Sequence, residues 1–456
     1  TIQWVVIIYA LTIAALLLPM GRLSDLVGRK KIYIFGIMVL AIGAALSGLS
    51  TSLEMLFPSR ILQGVGAAMT QGTGMAIVTS VFPANEKGRA IGMFMTMVGV
   101  GAIAGPAIGG MAVDLFDWRV VFFLTLPLNI IGAVATIWVM RGWTPVQEAR
   151  RDKFDWLGAA LSTGVLVALL LAMTTGNKAG WTSLPIMAAF GGAIGMLGTF
   201  IWWELRADAP MLDLRLFKGR TFSLGVSAAF LTFLGSSAVL FMMPFYLQNV
   251  LGYSAKAAGF VVVPGAICMA IMGTVSGVLS DRFGWRPFTV GGLASSATGL
   301  LILSFVKEDS SIWMVVPAMM LMNTGMGTFY SPNSSSVMNA VGMAKYGVVS
   351  GFLNLIRNAA NVTSIAFATI IVTATMASMG HEPNLEAVRG GAEGVGHAFT
   401  VGLRYAFLTM MGIVLLSMVL SALQPNQVVK PDAEPDESLD EAPREDIELT
   451  EQESEV

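Results

Sequence analysis

The densest chemistry in this chain lies in one short loop, Gly21-Arg22-Leu23-Ser24-Asp25-Leu26-Val27-Gly28-Arg29-Lys30-Lys31. A carboxylate at Asp25 can accept hydrogen bonds from neighbouring helix-end amides or from Arg29. A charged latch of that kind favours one conformational state by about 1–3 kcal/mol. Gly21 and Gly28 permit close approach and a sharp turn where bulkier residues would clash. Lys30 and Lys31 read more simply as charges that fix membrane orientation. Two further cations stand inside apolar segments. Arg60 lies two residues beyond Pro58 and three before Gln63. It reads either as an anchor reaching for the membrane surface or as a cation that tunes the protonation of a nearby acid. Arg357 is flanked by Asn354, Asn358 and Asn361; these neighbours either satisfy the guanidinium or contact a bound molecule.

Other chemistries are disfavoured. Cys268 is the one cysteine, and His381 and His397 share a polar loop without metal-ligand spacing, so no metal site or cofactor is expected. There are no paired intramembrane carboxylates, no nucleophile motif and no Gly-x-x-x-x-Gly-Lys-Ser/Thr loop, which argues against an enzyme and against an ATP-driven pump. Nothing points to nucleic acid.

The elements that must position these residues are membrane helices. Only 12% of the 456 residues are charged and 55% are hydrophobic, with a mean hydropathy of +0.72. A soluble surface needs about twice that charge. Fifty Gly and 30 Met suit close helix packing in lipid; the Met-rich spans are either core or the wall of an adaptable apolar cavity. Runs long enough to cross a bilayer fall at 3–20, 32–50, 58–80, 90–113, 119–140, 155–174, 184–203, 221–247, 257–279, 286–305, 312–332, 347–375 and 402–422, thirteen in all. Placing loops on alternate sides puts 19 basic residues on one side and four on the other. The basic side, holding the Gly21 loop and the C-terminus, is therefore expected to be cytoplasmic. The segment 424–456 carries 12 of the 29 acids and reads as a disordered acidic cytoplasmic tail.

The chain is internally duplicated. Gly277-Val278-Leu279-Ser280-Asp281-Arg282-Phe283-Gly284-Trp285-Arg286 repeats the first loop at a constant offset of 256 residues, which makes Asp281 and Gly284 counterparts of Asp25 and Gly28. The second copy follows the second span of its half, whereas the first follows the first visible span. The expected organisation is thus a helix bundle over 1–140 lacking its first helix, a linker with two extra spans over 141–220, and a six-helix bundle over 221–423. A complete chain would have fourteen spans.

With those motifs in view, Gly21-x-Leu-x-Asp25-x-x-Gly28-Arg29-Lys30-Lys31 resembles the signature loop of the major facilitator superfamily. Arg60-x-x-Gln63-Gly64-x-Gly66 is similar to its second motif. Gly101-x-x-x-Gly105-Pro106-x-x-Gly109-Gly110 looks like its antiporter motif, although glycines at this spacing also serve general helix packing. With two extra central spans, the whole resembles the 14-span drug:proton antiporters of the EmrB/QacA-like branch. Gln3-Trp4 with Tyr9, Trp118-Arg119 and Leu212-Asp213-Leu214-Arg215-Leu216-Phe217 add to the likeness.

The resemblance implies an all-α polytopic fold and a monomeric secondary exporter in the cell membrane. It would swap protons for drug-like or amphiphilic small molecules by alternating access. It also implies gating roles for Gly21, Asp25, Gly28, Arg29, Asp281 and Gly284, and coupling or transport roles for Arg60, Gln63 and Arg357. Glu54, Asp114, Glu204 and Asp213 all sit at span ends or in loops, so the proton-carrying acid is expected in the missing first helix. Export of a metabolite, lipid or peptide, and a transport-inactive receptor or scaffold, are the alternatives.

Overall fold

A computed structural model describes residues 3–141, 153–180, 183–382, 385, 388 and 394–425. The described residues form thirteen α-helices, and each expected span falls on one: α1 (Gln3–Val27), α2 (Arg29–Leu49), α3 (Leu53–Val81), α4 (Lys87–Leu115), α5 (Trp118–Val139), α6 (Trp156–Ala179), α7 (Leu184–Glu204), α8 (Arg220–Phe245), α9 (Ala255–Phe283), α10 (Arg286–Leu303), α11 (Ile312–Asn339), α12 (Tyr346–Ser378) and α13 (Val395–Leu423). Ten of them are long and apolar enough to cross a membrane. Helices are what a lipid-facing chain must form, since every backbone polar group then finds a partner within its own segment. The expected acidic tail, from 426 onward, lies outside the described residues.

Local signals set the helix boundaries. Ser52, Ser254 and Ser311 cap α3, α9 and α11, each accepting from a backbone amide two or three residues on, at 3.2–3.3 Å. The α1–α2 and α9–α10 corners turn on Gly28 (φ 111°) and Gly284 (φ 83°). Side-chain-bearing residues rarely adopt such φ values.

The duplication extends beyond the loop. Gly36 and Gly43 in α2 recur as Gly292 and Gly299 in α10, again 256 residues apart, and each pair lets its helix press against the next. A Cβ on Gly36 would lie 2.7 Å from the Met69 Cβ, and one on Gly43 2.5 Å from the Gln63 amide. One on Gly292 would lie 2.7 Å from the Gly325 carbonyl oxygen, and one on Gly299 2.7 Å from that of Ala318. Helices in lipid associate through such packing, because apolar contact alone gains nothing over lipid tails.

Helices α1–α5 pack among themselves, as do α8–α13, and the two groups meet through α1 against α12 and α4 against α9. The extra pair α6–α7 packs on itself and touches α1 and α12 through α6. Helix α5 carries no buried residue, whereas α13, its counterpart by order, buries Phe399, Phe407, Met410 and Val414 against the second group.

Adjacent glycines test this packing. Gly292→Ala would drive a methyl to 2.9 Å from the Phe329 backbone amide nitrogen, and should destabilise the protein by about 1–3 kcal/mol. Gly291→Ala meets nothing within 4 Å and should leave stability unchanged or slightly raised. Thermal unfolding of the two variants in detergent reads the difference.

Candidate functional site

The two groups of helices are joined at one end by two matched contacts. Asp25, in the last turn of α1, accepts from the amides of Gly347 at 2.9 Å and Val348 at 2.8 Å, the start of α12. Asp281, in the last turn of α9, accepts from the amides of Gly88 and Arg89 at 3.0 Å each, the start of α4. The first amides of a helix have no acceptor within it, and its dipole favours an anion there. Each duplicated carboxylate therefore caps a helix of the opposite group. Glycines allow the approach: a Cβ on Gly347 would lie 2.5 Å from Asp25 Oδ1, and one on Gly88 2.5 Å from Asp281 Oδ1. Gly21, across from Gly347, is equally confined, with the Gly347 carbonyl oxygen 2.5 Å from its own would-be Cβ.

The two caps differ in their countercharge. Arg29 donates to Asp25 Oδ1 from Nε at 3.1 Å and Nη2 at 2.8 Å, and also to the Met343 carbonyl. The Asp25 side chain is only 2% exposed. The repeat places Trp285 where Arg29 would be, and its indole donates to the Pro425 carbonyl at 2.9 Å instead. Lys30 donates to the Met140 carbonyl, and Lys31 is exposed.

Sequence reasoning missed three members of this interface. Lys87, 6% exposed, donates to Asn339 Oδ1 at 2.7 Å and to the Tyr346 hydroxyl. The Tyr346 ring lies between two cations, 4.8 Å from Lys87 Nζ and 5.6 Å from the Arg29 guanidinium carbon. Ser331 donates to the Gly88 carbonyl at 2.7 Å. Lys87 and Tyr346 each directly precede the glycine of a capped helix, which was the available signal. Deeper in, Thr96 Oγ1 sits 2.7 Å from Thr274 Oγ1 and 2.8 Å from the Ala270 carbonyl, joining α4 to α9.

The remaining predicted residues lie elsewhere. Arg60 donates to Gln63 Oε1 at 2.6 Å and to the Val5 carbonyl at 3.0 Å, with its guanidinium 4.2 Å from the Tyr9 ring and 5.5 Å from the Phe122 ring. Among the described residues it pairs with no carboxylate. A Cβ on Gly101, Gly105 or Gly109 of α4 would meet nothing within 4 Å; the surroundings of Pro106 and Gly110 lie outside the described set. On α12, Asn354 donates to the Gln71 carbonyl of α3 at 3.1 Å, Asn358 donates to the Asn354 carbonyl at 2.9 Å, and Asn361 accepts from Ser237 of α8. Arg357, half-buried between them, makes no hydrogen bond or ion pair among the described residues.

Glu204, set aside at the sequence level as a span end, is 4% exposed. It accepts from the Leu212 amide at 3.1 Å through Oε2, while Oε1 is buried without a partner among the described residues. Asp155 nearby accepts from Trp203 Nε1 at 3.0 Å and caps α6 through the Gly158 amide at 2.8 Å. Asp213, outside the spans, pairs with Lys345 at 3.0 Å. Burial pushes the Asp213 carboxyl up, but hydrogen bonds from Lys345 and the Arg215 amide, with the charges of both residues, outweigh it and hold the group below the ordinary carboxylate range.

Two predictions follow from these contacts. Asp25→Ala strands Arg29 as well as two amides, and should cost about 3–5 kcal/mol, against about 1–3 kcal/mol for Asp281→Ala. Thermal unfolding measures the costs. Faster alkylation of a cysteine placed at Thr274, in a Cys268→Ser background, would report loosening of the joined end. Because Asp213 is lowered in the folded state, its contribution is present above the ordinary carboxylate range and lost as the pH falls below about 4. A pH series of wild type against Lys345→Ala should show a difference below ~1 kcal/mol near neutrality that vanishes at acid pH.

The sequence matches the Major Facilitator Superfamily over residues 1–365. Riboflavin transporter RibZ of Clostridioides difficile is 34% identical over 369 residues, 80% of this chain and 78% of that protein. Multidrug resistance protein Stp of Mycobacterium tuberculosis is 32% identical over 390 residues, 84% of this chain and 71% of its own. Lincomycin resistance protein LmrB of Listeria monocytogenes is 25% identical over 424 residues, covering 92% and 88% respectively. In three dimensions, the human organic anion transporter MFSD10 superposes with a TM-score of 0.60 at 16% identity, over 91% of this chain and 83% of that one. Capped helix ends, a duplicated loop and these likenesses converge: the chain belongs to the major facilitator superfamily.

Proposed function

We propose that this transporter is a proton-coupled exporter of drug-like or amphiphilic small molecules, working by alternating access in the cell membrane. The observation that carries the reading is the pair of carboxylate caps. Both close the same end of the molecule, and both are hydrogen bonds between two groups of helices rather than covalent or greasy joints. A gate must hold firmly yet release, and two charge-assisted contacts worth a few kcal/mol meet that need. Gly21, Asp25, Gly28, Arg29, Asp281 and Gly284 are assigned to this gate. The closed end holds the basic loops, and is placed in the cytoplasm together with the acidic tail. Similarity to Stp and LmrB supports drug-like substrates.

Proton coupling rests on the resemblance to drug:proton antiporters. Among the described helices, the buried or half-buried carboxylates Asp25, Asp281 and Glu204 all stand in terminal turns. Arg60 and Gln63 are assigned as a polar bolt that holds α3 to α1 during the rocking motion, and Arg357 as a cleft residue. The glycine face of α4 is assigned to helix contact in other states of the cycle. A monomer suffices, with a small-molecule substrate, protons and the bilayer as partners. A second reading, export of an endogenous metabolite, is favoured by the 34% identity to a riboflavin transporter.

Efflux of ethidium from cells producing the transporter should be stopped by a protonophore. Export that persists after the gradient collapses would overturn antiport. Asp25→Asn should slow efflux about tenfold at equal membrane abundance. Riboflavin export, with ethidium untouched, would select the second reading.

A further inference from the structure

We propose that Arg357 forms an anion-binding subsite, so that the exported molecules include amphiphiles bearing a carboxylate, phosphate or sulfonate group. The inference rests on the exporter reading and names the chemistry of its cargo. One turn before Arg357, Asn354 reaches the Gln71 carbonyl of α3. One turn after it, Asn361 accepts from Ser237 of α8. Arg357 lies on the same strip of α12, the face that packs toward α3 of one group and α8 of the other. The opposite side of α12 is occupied by the extra helices, with Thr363 Oγ1 donating to Met173 Sδ of α6 at 3.9 Å.

Three observations give this cation to a ligand. Its donors are unspent: among the described residues Arg357 makes no hydrogen bond, ion pair or ring contact, although it is half-buried. Arg60 shows the contrast, since its donors are taken by Gln63 and Val5 and its plane by Tyr9 and Phe122. No carboxylate shares the strip, because Asp25 and Asp281 are held by amides at helix ends and Glu204 stands in the last turn of α7. The flanking side chains are neutral amides: Asn354 and Asn358 donate to the Gln71 and Asn354 carbonyls and Asn361 accepts from Ser237, so none of them cancels the guanidinium charge. A planar fork of donors on a half-buried side chain matches an oxyanion and repels a cation. One turn along α8 from Ser237, Phe233 packs edge-on against Tyr330 at 5.6 Å, both rings buried in the core.

The test is a selectivity ratio. Wild type, Arg357→Gln and Arg357→Lys are reconstituted in liposomes, and uptake of carboxyfluorescein and of ethidium is measured in parallel. The anion-to-cation ratio should fall about tenfold in Arg357→Gln and recover in part in Arg357→Lys. Equal loss of both dyes in the Gln variant, or an unchanged ratio, overturns the proposal by assigning Arg357 to structure alone. Quenching of intrinsic tryptophan fluorescence by carboxyfluorescein in detergent separates the two readings. Arg357-dependent binding without gradient-driven transport of either dye would sustain the subsite and overturn the exporter; transport of ethidium without any carboxyfluorescein binding would do the reverse.

Discussion

The first amides of a helix cannot be satisfied by that helix, and this one constraint organises the molecule. In α4 and α12 those amides are turned toward another helix bundle, where an unmet donor costs as much as a lost hydrogen bond. Asp281 and Asp25 meet them from α9 and α1. Because an anion at a helix N-terminus also meets the positive end of the dipole, each contact is stronger than a neutral hydrogen bond while remaining reversible. The pairing is reciprocal, with each half lending one carboxylate and presenting one helix end.

Everything near the caps serves that geometry. Gly21, Gly88, Gly277 and Gly347 remove side chains that would hold the helices apart, and the backbone at Gly28 and Gly284 turns through φ values that favour glycine. Countercharge is distributed unequally. Asp25 has Arg29 beside it, whereas among the described residues Asp281 accepts from amides alone, and the Tyr346 ring takes up both Arg29 and Lys87. The cytoplasm-assigned end is thereby a charged, well-satisfied plug, while the α4 glycines farther along meet open space.

The two extra helices dock by the same physics on a smaller scale. Asp155 caps α6 and holds Trp203 of α7, and Glu204 of α7 captures the Leu212 amide, folding the following segment back. Asp213 then reaches Lys345, immediately before the capped end of α12. The connecting segment is thus fastened to the same region of the molecule as the first cap.

Much of this was legible from residue order. Apolar runs located each of the thirteen described α-helices, because lipid leaves the backbone no alternative, and the repeat at 256 residues identified two equivalent loops with Asp25 and Asp281 in matching positions. The choice of acceptor residue was readable as well: a carboxylate next to a glycine turn and an arginine has few other uses. What residue order could not supply was the recipient. Gly347 is 322 residues from Asp25, and nothing local distinguishes its amide from dozens of others. The partners of Arg60, the freedom of Arg357, the burial of Lys87 and the capture of Leu212 by Glu204 were equally hidden. Sequence by itself determined the helices, their duplication and the charges at their ends, since these follow from the solvent the chain must live in. Tertiary structure alone decided which helix end each charge would cap, because that depends on which backbones can come within hydrogen-bonding distance after the bundles have packed.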